Sequence, residues 1–204
     1  YRPMRWIAIA IIVFGLFTIF WKGAELVMVP GPHPETAKYL MVEKSSVRLA
    51  GLFKSYASVD QVTAQLGKDN LFPLRSRNHR PQSDRYPPRD LDTLTVAPYT
   101  HLGSEGALTL EFFNDRLYEV HFQPKDAGGY AEALHNADGR LKRDRIGKAE
   151  YKDGALRVAS NVDLAKSDVG ISLGTKPYVI WQDTRLTQLR EEWDAAYGSI
   201  PVQR

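Results

Sequence analysis

Cysteine is absent from this chain of 204 residues. Its absence excludes a disulfide framework, a thiol nucleophile, an iron–sulfur cluster and a zinc site built on thiolates. Most spaced motifs of common enzymes are missing too: there is no G-x-x-x-x-G-K-[ST] loop, no G-x-G-x-x-G and no H-E-x-x-H. The pattern G-x-S-x-G occurs once, at 170–174, where we interpret Gly170 and Gly174 as turn residues. We therefore expect a protein that is not an enzyme and has no cofactor.

Histidine is also sparse, and the five histidines show none of the spacings of metal ligands. We consider joint metal binding only for His101 and His121. The alternative is that they are ordinary surface histidines. The net charge is only +3, and no basic stripe with interleaved aromatic residues occurs. The sequence thus predicts no metal site and no nucleic-acid partner.

One long apolar run is present, in contrast. Residues Trp6 to Trp21 read WIAIAIIVFGLFTIFW and carry no formal charge, and the apolar pattern continues to Val29 before Pro30 and Gly31 end it. A span of about 20 residues matches the hydrocarbon thickness of a bilayer. The sequence predicts an uncleaved transmembrane anchor over residues 1–29. The residues that we assign to the membrane anchor are Trp6, Phe14, Gly15, Trp21 and Lys22.

The charges beside this run predict an orientation. Arg2 and Arg5 precede it, whereas Lys22 after it is offset by Glu25. Because positive flanks stay in the cytoplasm, we expect a cytoplasmic N-terminus, a bacterial-type inner membrane and a periplasmic C-terminal domain.

The rest of the chain predicts an α+β domain after a Pro-rich stand-off and connecting segment over 30–57. Ser58-Val-Asp-Gln61 is a capping box that begins a helix, and Gly67 is placed to end it. Hairpins are predicted at 108–122, around Asn114-Asp115, and at 148–160, around Asp153-Gly154. The soluble domain spans 58–204, with two similar subdomains, 58–124 and 125–204, as a possible arrangement.

Further elements complete this domain. A short helix is expected near 130–136, a strand at 178–181 and an amphipathic helix over 185–197. In the last helix Leu186, Leu189 and Trp193 form one apolar stripe, which predicts packing against the sheet. In the first hairpin Leu108, Leu110 and Phe112 share one face, and the alternation places Tyr118, Val120 and Phe122 together on the partner strand.

Residues 73–90 are rich in arginine and proline and predict a long exposed loop. Guanidinium groups bind carboxylates and phosphates well, so the loop could dock a partner protein or acidic lipids. The alternative is a solvated insertion whose charges are balanced by Asp84, Asp90 and Asp92. The candidate contact residues are these: Arg75, Arg77, Arg80, Arg85 and Arg89.

The capped helix SVDQVTAQLG followed by the hairpin LTLEFFNDRLYEVHF resembles the small periplasmic domains of the BamE (SmpA/OmlA) and β-lactamase-inhibitor-like group, over residues 58–123. BamE-type members carry a lipidated N-terminal cysteine, which this chain lacks. The resemblance implies a binding or assembly module.

Together these features predict a non-catalytic accessory or scaffolding subunit of a larger inner-membrane complex, whose partners are multi-pass membrane subunits and membrane lipids. The alternative is a membrane-tethered envelope binding or assembly module that acts through the arginine-rich loop 73–90.

Overall fold

A computed structural model describes residues 32–42 and 45–201, which belong to one compact unit. A single antiparallel sheet of seven strands organises it, in the order β1-β2-β3-β4-β7-β6-β5. The strands are β1 (Leu74–Arg80), β2 (Arg89–His101), β3 (Ser104–Phe113), β4 (Leu117–Pro124), β5 (Ala149–Asp153), β6 (Leu156–Ser160) and β7 (Val179–Asp183). The helices are α1 (Thr36–Leu40), α2 (Val59–Lys68), α3 (Ala127–Ala137), α4 (Val162–Ala165), α5 (Asp168–Ser172) and α6 (Thr184–Tyr197).

The local signals for hairpins are confirmed. Asn114 and Asp115, which join β3 to β4, both have positive φ, as does Gly154 between β5 and β6. Asparagine, aspartate and glycine tolerate this left-handed backbone better than other residues do. The predicted strand before the last helix is present as β7.

The predicted helix starts are confirmed as well. The Ser58 hydroxyl accepts from the backbone N–H of Gln61 and the Gln61 side chain accepts from the N–H of Ser58, so the capping box of α2 is complete. Asp183 caps α6 by accepting from the N–H of Arg185. The predicted end of α2 is wrong by a short distance: Gly67 lies within the helix, and the residue with positive φ is Asn70.

Apolar residues on the two faces of the sheet form two separate cores. The larger core packs α2 and α3 against β2, β3, β4, β6 and β7. The smaller core lies on the opposite face, where Leu186 and Trp193 of α6 meet Tyr39 and Tyr86. The prediction that the α6 stripe packs on the sheet is confirmed.

A bulge between β3 and β4 divides neighbouring residues between these cores. The register shifts after Glu111, so Phe112 pairs with Leu117 and both belong to the larger core. Tyr118 lies in the smaller core, whereas Val120 lies in the larger one. The predicted common face for Tyr118 and Val120 is therefore wrong, because strict alternation fails where a bulge inserts a residue.

A buried arginine attaches the segment before α2 to the sheet. Arg116 donates to the backbone carbonyls of Phe113, Tyr39 and Met41, the last at 2.5 Å. Burial lowers the pKa of this guanidinium to about 10. Part of the predicted stand-off over 30–57 is thus packed structure, with Tyr39 and Phe53 buried.

The structure corrects the predicted α+β fold class with a single N-terminal transmembrane helix, because the described residues form mostly one seven-stranded antiparallel sheet with a few helices. It also corrects the predicted location. The span from Trp6 to Val29 lies outside the described residues, as do the anchor residues named for it: Trp6, Phe14, Gly15, Trp21 and Lys22. Within 32–42 and 45–201 no helix is both long and apolar enough to cross a bilayer. The longest helix there, α6, has 14 residues, about 21 Å against about 30 Å of hydrocarbon. The single-pass inner-membrane assignment with a periplasmic domain is therefore not supported.

The possible pair of similar subdomains is corrected too. The predicted division near residue 124 would place β1–β4 in one half and β5–β7 in the other. Instead β4 pairs with β7 from Glu119–Gln182 to Phe122–Val179, which joins all seven strands in one sheet.

Candidate interaction surface

Strand β1 forms one edge of the sheet and is the most exposed strand of the described chain. It pairs along its whole length with β2, from Leu74–Thr95 to Arg80–Arg89, and no other strand pairs with it in the described residues. Every residue of β1 except Arg80 is exposed. An edge strand of this kind presents backbone N–H and C=O groups that can pair with another chain.

One face of β1 carries cations that lie over carboxylates of β2. Arg75 Nε is 2.7 Å from Asp92 Oδ1, and an Arg77 terminal nitrogen is 3.1 Å from Asp90 Oδ2. His79 also contacts Asp90 through Nδ1. The two arginine side chains are 44% and 49% exposed, whereas Asp92 is 4% and Asp90 23% exposed. The ladder is close to neutral in sum, but its solvent side is cationic.

The ion pair with Asp92 favours the charged form of Arg75. The hydrogen bond to Asp92 raises the pKa of Arg75 above its already high ordinary value. Arginine therefore stays charged at every pH at which the fold is of interest. In the described structure each guanidinium uses part of its five donors on its aspartate, which leaves outward-facing N–H groups.

The other face of β1 begins with apolar side chains. Leu74 is 78% exposed and Phe72, two residues earlier, is 83% exposed. Side chains alternate along a strand, so Leu74 points away from the face that carries Arg75. The edge thus presents unpaired backbone N–H and C=O groups, arginine side chains on one face, and exposed apolar side chains at the beginning of the strand.

The five arginines named from the sequence do not form one patch. Arg80 is buried, with its guanidinium carbon 4.1 Å from the ring centroid of Tyr86 and 5.0 Å from that of Trp193. Arg89 packs over the same tryptophan and pairs with Asp194 at 2.8 Å. These two arginines support the smaller core. Arg85 is exposed in the turn between β1 and β2.

The prediction of a long loop over 73–90 is wrong for its first half, because 74–80 is a strand. The sequence did contain a signal for the pairing. Arginine, arginine and histidine recur every second residue at 75, 77 and 79, and acids recur every second residue at 90 and 92. Opposite charges facing each other across a strand pair stabilise that pair. The arginines alone do not predict a strand, because the alternation becomes meaningful only when Asp90 and Asp92 are recognised as their partners.

The second edge of the sheet, β5, is partly covered. Arg143 forms an isolated antiparallel bridge with Ala149, the first residue of β5. Of the two edges of the described sheet, β1 is therefore the more accessible for strand addition.

The two histidines considered as metal ligands do not meet. His101 Nδ1 lies 2.8 Å from the Tyr130 hydroxyl, and its ring packs on Phe122 and Trp181. His121 instead packs against Tyr178, at 5.9 Å between ring centroids. Burial lowers the pKa of both rings. In the described ranges no group of three or more histidine, aspartate or glutamate side chains could hold a metal ion.

Comparison of the chain with protein-family models finds no match, and comparison with curated proteins finds none either. The resemblance to BamE-like domains stays a prediction.

Proposed function

We propose that this protein is a non-catalytic accessory or scaffolding subunit that binds a partner protein by accepting an extended acidic segment along β1. The observation that carries the proposal is the exposed edge strand with Arg75 and Arg77 paired to the buried Asp92 and the partly exposed Asp90. Strand addition at a sheet edge takes its affinity from main-chain hydrogen bonds and its specificity from alternate side chains.

Charge favours an acidic partner. On a strand added next to β1, side chains that share the face of Arg75 and Arg77 lie about 5 Å from them. Carboxylates there meet the outward guanidinium N–H groups, and bonds of this type are among the stronger ones in proteins. Apolar residues at intervening positions near the start of β1 meet Phe72 and Leu74, which are exposed.

The same charges disfavour a second copy of the chain on this edge. An antiparallel pairing of β1 with itself, centred on Arg77, would place the two Arg77 residues opposite each other. Like charges directly opposite destabilise a strand pair, and charged edge strands protect sheets from edge-to-edge association. Binding to a multi-pass membrane subunit or to lipids stays a prediction.

The test uses the full chain and a fluorescein-labelled, blocked peptide, Val-Glu-Val-Glu-Val-Glu-Val, followed by fluorescence anisotropy. We expect the double variant Arg75→Gln with Arg77→Gln to bind about fivefold more weakly, because two half-exposed ion pairs together contribute about 1 kcal/mol. Amide hydrogen exchange should slow at alternate residues of 74–80 when the peptide is bound.

Two controls separate edge pairing from general attraction. The variant Arg85→Gln with Lys54→Gln removes the same amount of charge from exposed sites off the strand and should keep wild-type affinity. A peptide N-methylated on alternate amides cannot complete a strand ladder and should not bind. If the methylated peptide binds as well as the parent, or if exchange in β1 is unchanged, strand addition is the wrong mode.

A further inference from the structure

The opposite edge of the sheet carries a second exposed surface, formed by the loop before β5 together with α4 and α5. We call it the basic corner. Four large apolar side chains are exposed here, between 58% and 75%: Ile146, Val169, Ile171 and Leu173. The exposed cations around them are Lys142, Arg143, Arg145, Lys148 and Lys166.

Hydrogen bonds and a close backbone contact hold the loop of the basic corner in place. The Asp144 carboxylate accepts from the N–H groups of Ile146 and Lys148, each at 2.9 Å, which shapes the loop so that Ile146 is at its tip. Gly147 has a φ of +84°, and its carbonyl accepts from Leu164 N–H at 2.9 Å. A side chain at Gly147 would collide with the Leu164 backbone, so glycine lets the loop rest directly on α4.

Charge at the corner is positive on its solvent side. Asp163 is only 4% exposed and is surrounded by His135 Nε2 at 2.6 Å, Lys166 Nζ at 3.0 Å and Arg143 at 3.9 Å. Asp144 and Asp168 are exposed carboxylates of the same surface, and the backbone N–H groups that bond to Asp144 leave its charge in place. In the described residues no carboxylate forms an ion pair with Arg145 or Lys148. The corner therefore carries more cations than carboxylates around its apolar residues.

A cleft of about 530 Å³ opens within this surface, between Ile146 and Val169, with Leu164 and Arg143 also in its wall. Its volume accommodates a large side chain, because ligand clefts of a few hundred Å³ bury whole small molecules. A concave site suits an inserted side chain from a folded or extended protein segment better than it suits the flat surface of a bilayer. Exposed apolar residues with charged surroundings are typical of protein interaction sites.

We infer that the basic corner is a second docking site, which binds an acidic protein segment that inserts one large apolar side chain into the cleft between Ile146 and Val169. Carboxylates flanking that anchor pair with Arg145 and Lys148. The site is separate from the β1 edge and does not depend on it.

The test measures binding of a fluorescein-labelled, blocked peptide, Asp-Glu-Leu-Phe-Glu-Asp, to the full chain by anisotropy. We expect about tenfold weaker binding for Ile146→Ser with Val169→Ser, because buried apolar anchors dominate such interfaces. A loss of similar size is expected for Arg145→Gln with Lys148→Gln, and the affinity should fall when salt is raised from about 50 to about 500 mM. All four side chains are exposed, so the variants should fold; thermal unfolding checks this.

Matched controls assign the result to this surface. Arg85→Gln with Lys54→Gln removes equal charge elsewhere, and Arg75→Gln with Arg77→Gln alters only the β1 edge; both should bind the peptide as the wild type does. Equal binding of the peptide with Ser-Ser in place of Leu-Phe would overturn the apolar anchor. Binding of phosphatidylglycerol vesicles without binding of the peptide would overturn the choice of a protein partner.

Discussion

Three aspartates of this protein share one arrangement, in which a carboxylate lies beneath cations that face solvent. Asp92 and Asp163 are each 4% exposed, while the cations paired with them, Arg75 and Lys166, are 44% and 38% exposed. Asp90, at 23% exposed, is less deeply placed. Net charge alone does not describe such a site, because a partner meets the cation first and the acid is screened from it. The proposed contacts on β1 use this arrangement, whereas those at the basic corner, Arg145 and Lys148, form no ion pair with a carboxylate of the described residues.

Asp163 should make stability depend on pH in a defined direction. Burial alone would raise the pKa of its carboxyl, but hydrogen bonds from Lys166 and His135 outweigh burial and hold the pKa below its ordinary value of 3.8. A pKa that is lower in the folded state favours folding wherever the group is charged in both states. This contribution is complete above about pH 4 and is lost as the pH falls through the lowered pKa.

We therefore expect Asp163→Asn to lower the free energy of unfolding by about 1–3 kcal/mol at pH 7, because the cations around it lose their partner. The difference from wild type should narrow towards pH 3, as measured by urea unfolding across this range. Asp84→Asn, at an exposed site, is the control and should stay within about 0.5 kcal/mol of wild type. A difference that is constant or grows towards pH 3 would contradict the assigned pKa direction.

At the scale of elements, glycine decides how closely α5 can approach α4. A Cβ placed on Gly170 would lie 1.9 Å from the Leu164 carbonyl oxygen and 2.7 Å from the Leu164 carbonyl carbon. Both contacts are with backbone atoms, which cannot rotate away as a side chain can. The close approach holds Val169 and Ile171 at the surface beside the loop that carries Ile146.

Gly170→Ala should consequently destabilise the protein by about 2–3 kcal/mol, as overpacking does, even though alanine is the better helix former by about 1 kcal/mol. Thermal unfolding measures this, and the corner peptide should also bind more weakly. Gly139→Ala is the matched control, since no atom lies within 4 Å of its Cβ position; its stability should equal or slightly exceed that of wild type. Wild-type stability for Gly170→Ala would mean that α5 can move away from α4 without cost.

The elements that sequence could predict are those whose signals are local. The Ser58 capping box, the Asn114-Asp115 and Asp153-Gly154 turns and the stripe of α6 are each contained in a few neighbouring residues, and the structure has all of them. Strand β1 has no apolar alternation and forms because Asp90 and Asp92 lie opposite it, more than ten residues later. The alternating charges of the two segments are present in the sequence, but neighbouring residues alone do not show that the segments lie opposite each other.

The interaction surfaces, too, depend on contacts between residues that are distant in the sequence. The arginines at 75–89 form one group in the sequence, but the fold separates them. Arg80 and Arg89 pack on Trp193, whereas Arg75 and Arg77 lie at the sheet edge. The basic corner depends on close approach of the loop to α4 and of α5 to α4. Sequence spacing does not encode these contacts, although cations are dense over residues 140–148.

At the scale of the whole molecule, the two proposed surfaces lie at opposite edges of one sheet. Strands β1 and β5 are first and last in the order of seven, so six interstrand spacings of about 4.8 Å separate the edges by about 29 Å. That distance lets two protein segments bind at once without touching each other. A scaffolding role needs this geometry, because a scaffold must hold two partners simultaneously.

Binding at the two surfaces should therefore be independent. Sites more than about 10 Å apart that share no side chains usually couple weakly, by about 0.5 kcal/mol or less. We expect the affinity for the Asp-Glu-Leu-Phe-Glu-Asp peptide to change less than about twofold when the Val-Glu-Val-Glu-Val-Glu-Val peptide is saturating, and the reverse measurement must agree because coupling is reciprocal. Competition between the peptides would instead mean that both bind one surface. In that case the corner variants and the edge variants would each weaken both peptides, and the protein would hold one acidic partner instead of bridging two.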